Sequence, residues 1–292
     1  MIERLLVLYP SGYRAAYGRE IADTYREMTA GLSHGARLRE GADLAAHALR
    51  VRSGLGSADP LGRFLASAAP FALAAAAVIA GIRLTRWCAG VVASPTPVWL
   101  SLRTLDGVGA LSLLCSLLVC VGAIVALTSR WAAGTAAAVS GLVGTGVLAL
   151  SAEWLYEGGG LVPVTAVLTI AVVLACPPDL RPGEGASAAA GAMGGAAWLP
   201  VAAVEAGAVD GVSTEYGAWP LLALTVTGIV LALRARSSGL RETGAMLVAS
   251  PPLAAHALAG AWYDSEPIAV LVLVLPVVTV LAMAVRARRR AR

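Results

Sequence analysis

The chain has 292 residues, 58% hydrophobic and only 14% charged, with a mean hydropathy of +0.75, which places it outside the globular range and among polytopic membrane proteins. That balance excludes a soluble enzyme. The net charge of +4 comes from 22 basic residues, all arginine, against 18 acids, and the arginines gather at the ends of apolar stretches, so the charge reads as membrane topology and not as nucleic-acid binding.

The first 62 residues are water-side in character. Ile2, Leu5, Leu6 and Tyr9 share one face at about 100° per residue, which predicts a short amphipathic helix stopped before Pro10. A second helix is expected over Gly12 to Gly31. Its Tyr13, Tyr17, Ile21, Tyr25, Met28 and Leu32 fall within an arc of about 120°, opposite Arg19, Glu20, Asp23, Arg26 and Glu27, with Arg19 and Asp23 as a supporting pair. A third, Ala36 to Arg52, places Leu38, Ala42, Ala45 and Leu49 inward and Arg39, Glu40, Asp43, His47 and Arg50 outward. A bundle this small is near the lower limit for an independent core, so it is expected to lean on the membrane domain, a second copy or a partner. Arg14 lies within the tyrosine arc, either snorkelling at the core edge or stacking on Tyr17 as a docking contact.

Residues 8–21, Leu-Tyr-Pro-Ser-Gly-Tyr-Arg-Ala-Ala-Tyr-Gly-Arg-Glu-Ile, resemble the Y-P-x-x-Y-R-x-x-Y-G-x-E opening of a group of actinobacterial integral membrane proteins. The resemblance covers about the first 30 residues. It implies a short cytoplasmic helical module ahead of a variable set of spans, as in permease subunits with a prefix domain and in proteins encoded beside regulators, and it carries over no catalytic residues. An all-arginine basic set with abundant Ala, Gly and Val agrees with a GC-rich bacterial source.

From Asp59 the chemistry changes. Phe64 to Ile82 supplies the roughly 20 apolar residues that a bilayer core needs, with Asp59 and Pro60 as N-cap and first helical residue. No cleavable signal peptide is expected, and this span acts as the anchor. Arg83 to Arg103 reads as a loop with Pro95-Thr96-Pro97 as a brake. Further spans follow at Leu105–Leu127, Ala132–Ser151, Leu161–Cys176, Ala186–Ala208, Ala218–Leu233, Thr243–Gly260 and Ile268–Val285, before a basic tail, 286–292. The expected fold is therefore all-α, a polytopic bundle of about eight spans (63–285) with a small N-terminal helical module (1–62). Arg130, Arg181, Arg234, Arg236, Arg241 and the tail place both termini in the cytoplasm, in a bacterial plasma membrane; Arg83, Arg86 and Arg103 dissent. Residues 149–157 and 257–264 resemble each other, which suggests either a four-plus-four repeat or two alike interfacial loops.

Cys88, Cys115, Cys120 and Cys176 form no C-x-x-C pair and read mostly as small buried thiols. No phosphate loop, metal motif or nucleophile elbow is present, so no enzyme activity, metal or cofactor is expected. Glu153, Trp154, Tyr156 and Glu157, then Glu215, Tyr216 and Trp219, then Trp262, Tyr263, Asp264 and Glu266 form either a collar of aromatics and acids for a cation or the ordinary interfacial belt. Gly191 and Gly195, and Ser140, Gly141 and Gly144, read as helix-packing faces. Two functions remain. In the first, the module docks a cytoplasmic regulator, or a second copy of itself, through Arg14, Tyr13, Tyr17 and Gly18, and the protein is a regulator or scaffold. In the second, a solute crosses beside Glu205 and His256, the ionisable groups most deeply placed, at the Pro251-Pro252 helix break. A separate ATPase subunit would then be needed for a permease role.

Overall fold

The computed structural model describes residues 2–57, 59–150, 161–177, 179–180, 182–207, 218–235 and 239–264. Among them every regular element is helical: α1 Ile2–Leu6, α2 Ser11–Thr29, α3 His34–Ser53, α4 Pro60–Ala93, α5 Val98–Arg103, α6 Gly107–Thr128, α7 Trp131–Ala149, α8 Leu161–Ala175, α9 Glu184–Glu205, α10 Trp219–Arg234, α11 Leu240–Ala249 and α12 Pro251–Asp264. Four of these, α4, α6, α7 and α9, are long and apolar enough to cross a membrane; α8 and α10 are shorter apolar helices. The expected eighth span, the tail, residues 151–160 and 208–217, and most of the first candidate repeat segment lie outside the described residues, whereas the second, 257–264, is the end of α12. Two compact units divide the chain: Met1–Arg63 with Ala175–Leu180, and Phe64–Leu174 with Arg181–Arg292.

In the first unit α2 starts directly after Pro10, whose extended backbone suits the residue before a helix. Ser33 caps α3 by accepting the Ala36 N–H, and Gly54, left-handed at φ 66°, closes it. The core is built from small residues. Tyr9, Gly18, Ala22, Gly41 and Ala48 are buried, whereas Leu38 and Leu49 are exposed. The inward face of α3 is thus turned roughly a quarter turn from the expected Leu38, Ala42, Ala45, Leu49 stripe, because glycine and alanine let three short helices approach where leucine would hold them apart. Asp23 pairs with Arg26 at 2.6 Å, correcting the expected Arg19 partnership. Residues 175–180, expected as the end of the Leu161–Cys176 span and the start of an inner loop over 177–183, belong to this unit. Ser57 hydrogen-bonds Asp179, and His47 and Arg50 add favourable charge, which together hold that carboxyl below its ordinary range.

The second unit is organised around α4. Its apolar window is 67% buried, against 39%, 28% and 22% for α6, α7 and α9, as befits a helix that is apolar on every side. Leu73, Ala75 and Val78 sit in clusters shared with α6, α9, α10 and α11. Asp59 accepts the Arg63 N–H through its backbone carbonyl, but its carboxylate turns back to the Gly56 N–H, so the side-chain cap expected there is not made. The expected loop from Arg83 is also corrected. α4 continues for 34 residues, about 50 Å at 1.5 Å per residue, and carries Arg83 and Arg86 on the helix. α6 begins on an Asp106 cap to the Gly109 N–H.

The two expected packing faces of small residues behave differently. α6 and α7 run antiparallel in close contact, and a Cβ added at Gly122, Gly134 or Gly141 would land on backbone atoms of the facing helix. Ser140 instead faces outward. Gly191 and Gly195 of α9 have open space where a Cβ would go, so that G-x-x-x-G pattern makes no close contact among the described residues. α9 runs parallel to α4, as Gly194 beside Ala74, Trp198 donating to Thr85 at 2.9 Å, and Glu205 paired with Arg86 at 3.0 Å together require.

Candidate functional site

Two concavities carry polar chemistry, one in each unit. The first is a groove of about 460 Å³ between α2 and α3. Its floor is a ladder of rings: Tyr9 stacks on Tyr13 at 5.4 Å and Tyr13 meets Tyr17 at 4.9 Å, while His47 closes on Tyr9 from α3 at 5.8 Å. Tyr13 and Tyr17 meet because residues four apart are neighbours on the surface of α2, while Tyr9 reaches Tyr13 from the bend before Pro10. Tyr9 is buried and its hydroxyl reaches the Leu44 carbonyl at 3.5 Å. Tyr25 ties α2 to α3 by donating to the Arg37 carbonyl at 3.3 Å. Burial, and then the neighbouring Tyr13, push the Tyr9 phenol up to about 12 against the opposing pull of Arg50, so that ring stays neutral throughout the physiological range.

Tyr17 is 50% exposed and Met28 57%, so the apolar stripe is only partly covered by its own core. Glu20 on α2 and Glu40 and Asp43 on α3 line the same groove, which no arginine lines. The floor is therefore aromatic and the walls acidic, an arrangement suited to a basic side chain over ring faces with carboxylates beside it. Of the expected anchors, Tyr13 and Tyr17 line the groove. Arg14 is exposed outside its lining, and its stem covers Gly18, with Cγ 3.2 Å from where a glycine Cβ would stand. Gly18 is buried under that stem and does not admit a partner's backbone. The acids and His47 escaped sequence reasoning, because a carboxylate facing solvent and one facing a groove have the same periodicity; the i, i+3, i+7 spacing of Glu40, Asp43 and His47 is the signal that was there.

The second concavity, about 160 Å³, lies in the second unit among α4, α6, α7, α8 and α12. Arg83 and His256 are the ionisable residues in its wall, and Ser116, Thr145, Thr165 and Thr169 supply hydroxyls. The expected break at Pro251-Pro252 is present: α11 ends at Ala249, Ser250 intervenes, and α12 restarts at Pro251, carrying His256 to the cavity. Glu205 is elsewhere. Its carboxylate is ion-paired with Arg86 at 3.0 Å and is not part of the cavity lining, which holds His256. Of the collar, Trp219 is described, and it donates to the Ala196 carbonyl at 3.0 Å; the other collar residues fall outside the described residues or have no described side chain. No group of histidine, cysteine and acid that could hold a metal occurs among the described residues. Compared with protein-family models, curated proteins and solved structures, the chain matches none of the three.

Proposed function

We propose that this is a non-enzymatic regulator or scaffold of a bacterial plasma membrane, with eight spans and both ends in the cytoplasm, whose residues 1–58 dock a cytoplasmic partner. One observation carries the reading: an open groove floored by Tyr9, Tyr13 and Tyr17 and walled by Glu20, Glu40 and Asp43, on a unit too small to cover its own aromatic stripe. Tyrosine is among the residues most enriched at energetic centres of interfaces, and the acid walls select a partner segment bearing arginine or lysine. The likeness of residues 8–21 to actinobacterial membrane modules points the same way. So does the return of residues 175–180 to this unit, since the arginine pattern puts both on the cytoplasmic side.

The test is site-specific photocrosslinking in cells of the full chain with a photoreactive residue at Tyr17. Adducts with a cytoplasmic protein are expected, reduced at least tenfold by Glu40→Arg together with Asp43→Arg. Adducts only with lipid or with a second copy of the chain would overturn the docking reading in favour of membrane packing or self-association.

A further inference from the structure

We propose that α5 is a lipid-surface anchor, lying flat on the membrane with Val98, Trp99 and Leu102 in the boundary between headgroups and acyl chains and Arg103 at the lipid phosphates. The inference does not depend on the docking role; it rests on α4 and α6 crossing the bilayer, for which both are long and apolar enough. Leu73 clusters with Ala123, and Ala76 and Ala80 with Val119, so α4 and α6 run antiparallel, and the Cys120 thiol meets the Ala77 carbonyl at 3.5 Å. From that contact α4 continues about 24 Å to Ala93, and α6 reaches back about 20 Å to Gly107. The two helices therefore end at nearly one level, and residues 94–106 between them are confined to one membrane face. At 22 residues, about 33 Å, α6 is just long enough for a hydrocarbon core of about 30 Å, so its first turn stands at the boundary. α5 ends three residues before the Asp106 cap of that turn, which holds it in the same layer.

Which groups are turned outward separates α5 from a loop built for water. Val98, Trp99, Leu100 and Leu102 are four of its six residues, and all four are exposed. The hydroxyls are turned inward instead. Ser94 and Thr96 share a hydrogen bond of 2.6 Å, Thr96 and Ser101 one of 3.2 Å, and Thr104 donates to the Leu100 carbonyl at 3.1 Å. At about 100° per residue Val98, Leu102 and Trp99 lie within one quarter to one third of the helix circumference, while Ser101 on the far side faces the Thr96 turn. A segment that hides its hydroxyls and shows indole and leucine fits the lipid boundary, where an aromatic ring is buried and its N–H stays wet. The exposed Arg103 guanidinium stands over the Trp99 ring at 5.5 Å. Its stem thus runs along apolar surface while its charge reaches toward phosphate, as long cationic side chains do at membrane surfaces. An arginine held in this way anchors to lipid and carries no weight in the count of charges that sets orientation, which removes Arg103 from the dissenting set.

The experiment uses the full-length protein reconstituted in phosphatidylcholine vesicles, with the emission of Trp99 taken as the difference between wild type and Trp99→Phe. Phosphatidylcholine brominated close to its headgroup is expected to quench this emission at least twofold more than the same lipid brominated near the chain ends. Aqueous iodide should quench it at least threefold less than it quenches free tryptophan. Val98→Glu together with Leu102→Glu, both at exposed positions, should bring Trp99 within reach of iodide and remove the bromine quenching, whereas Arg103→Gln should weaken the bromine quenching less. Quenching by iodide and not by bromine would mean that α5 stands in water, and stronger quenching by the deep bromine that it lies below the boundary. Quenching by neither would mean that protein covers it. Each of these results, or an unchanged pattern in the double glutamate variant, would overturn the proposal.

Discussion

The two units pack helices by opposite means. In the water-side unit, tyrosine rings keep α2 and α3 apart on one side and leave a groove, while Gly41 and Ala48 draw the helices together on the other. In the membrane unit, α6 and α7 touch backbone to backbone through Gly122, Gly134 and Gly141, and leucines such as Leu114, Leu117 and Leu174 face outward. Water supplies a driving force that tolerates an imperfect core, so a small bundle can keep part of its apolar stripe open. Lipid supplies no such force between apolar helices, and association there rests on van der Waals contact, which needs close approach.

The sharpest way to break this comparison is to add volume at the seam. Gly134→Leu is expected to cost about 3 kcal/mol or more, because the obstacle is backbone and cannot move aside; Gly191→Leu, with open space around it, should stay within about 0.5 kcal/mol. Reversible unfolding in detergent checks both, and equal effects would show that the seam is not special. Next, Tyr9→Ala should destabilise the water-side unit by about 3 kcal/mol, as for other large buried rings, while Tyr17→Ala should cost under about 1 kcal/mol yet remove partner adducts. Hydrogen exchange resolved over residues 2–57 separates the two.

A smaller effect follows from the raised Tyr9 phenol. Its contribution to stability is whole below the unfolded value near 10 and is lost as pH rises through about 12. A spectrophotometric titration should show one late tyrosine in the wild type that is missing in Tyr9→Phe. The smallest concerns Asp179, whose lowered folded value gives a contribution present above the unfolded value of about 3.9 and lost as pH falls through the folded one. Asp179→Asn at neutral pH should reproduce the faster exchange around Ser57 that the wild type shows only in strong acid.

Much of the fold was legible because a bilayer measures length: Leu105–Leu127 and Ala186–Ala208 were expected within a few residues of α6 and α9. Arg83 and Arg86 misled for a physical reason. A charge in a run of apolar residues reads as a loop unless its partner is known, and Glu205 lies 119 residues away. The facing of α3 was lost differently, since periodicity weighs Leu38 and Ala48 alike while a tight core selects by size. Of the candidate sites, the tyrosines followed from spacing and His256 from its cost in lipid. The acids of the groove, and Arg83 in the cavity wall, needed three-dimensional neighbours to be recognised.

α8 connects the two chemistries. Leu161, Val162 and Thr165 of that helix line the cavity, and ten residues after Thr165 the same chain passes at Ala175 into the segment that Ser57, His47 and Arg50 engage through Asp179. An α-helix of 15 residues is a stiff rod of about 22 Å. Within the first unit, His47 stands near Asp179 and also closes on Tyr9, so the 175–180 segment and the groove share one side chain. A partner in the groove that moved His47 would be felt at Asp179, and by linkage a change at Asp179 would be felt by the partner to the same degree.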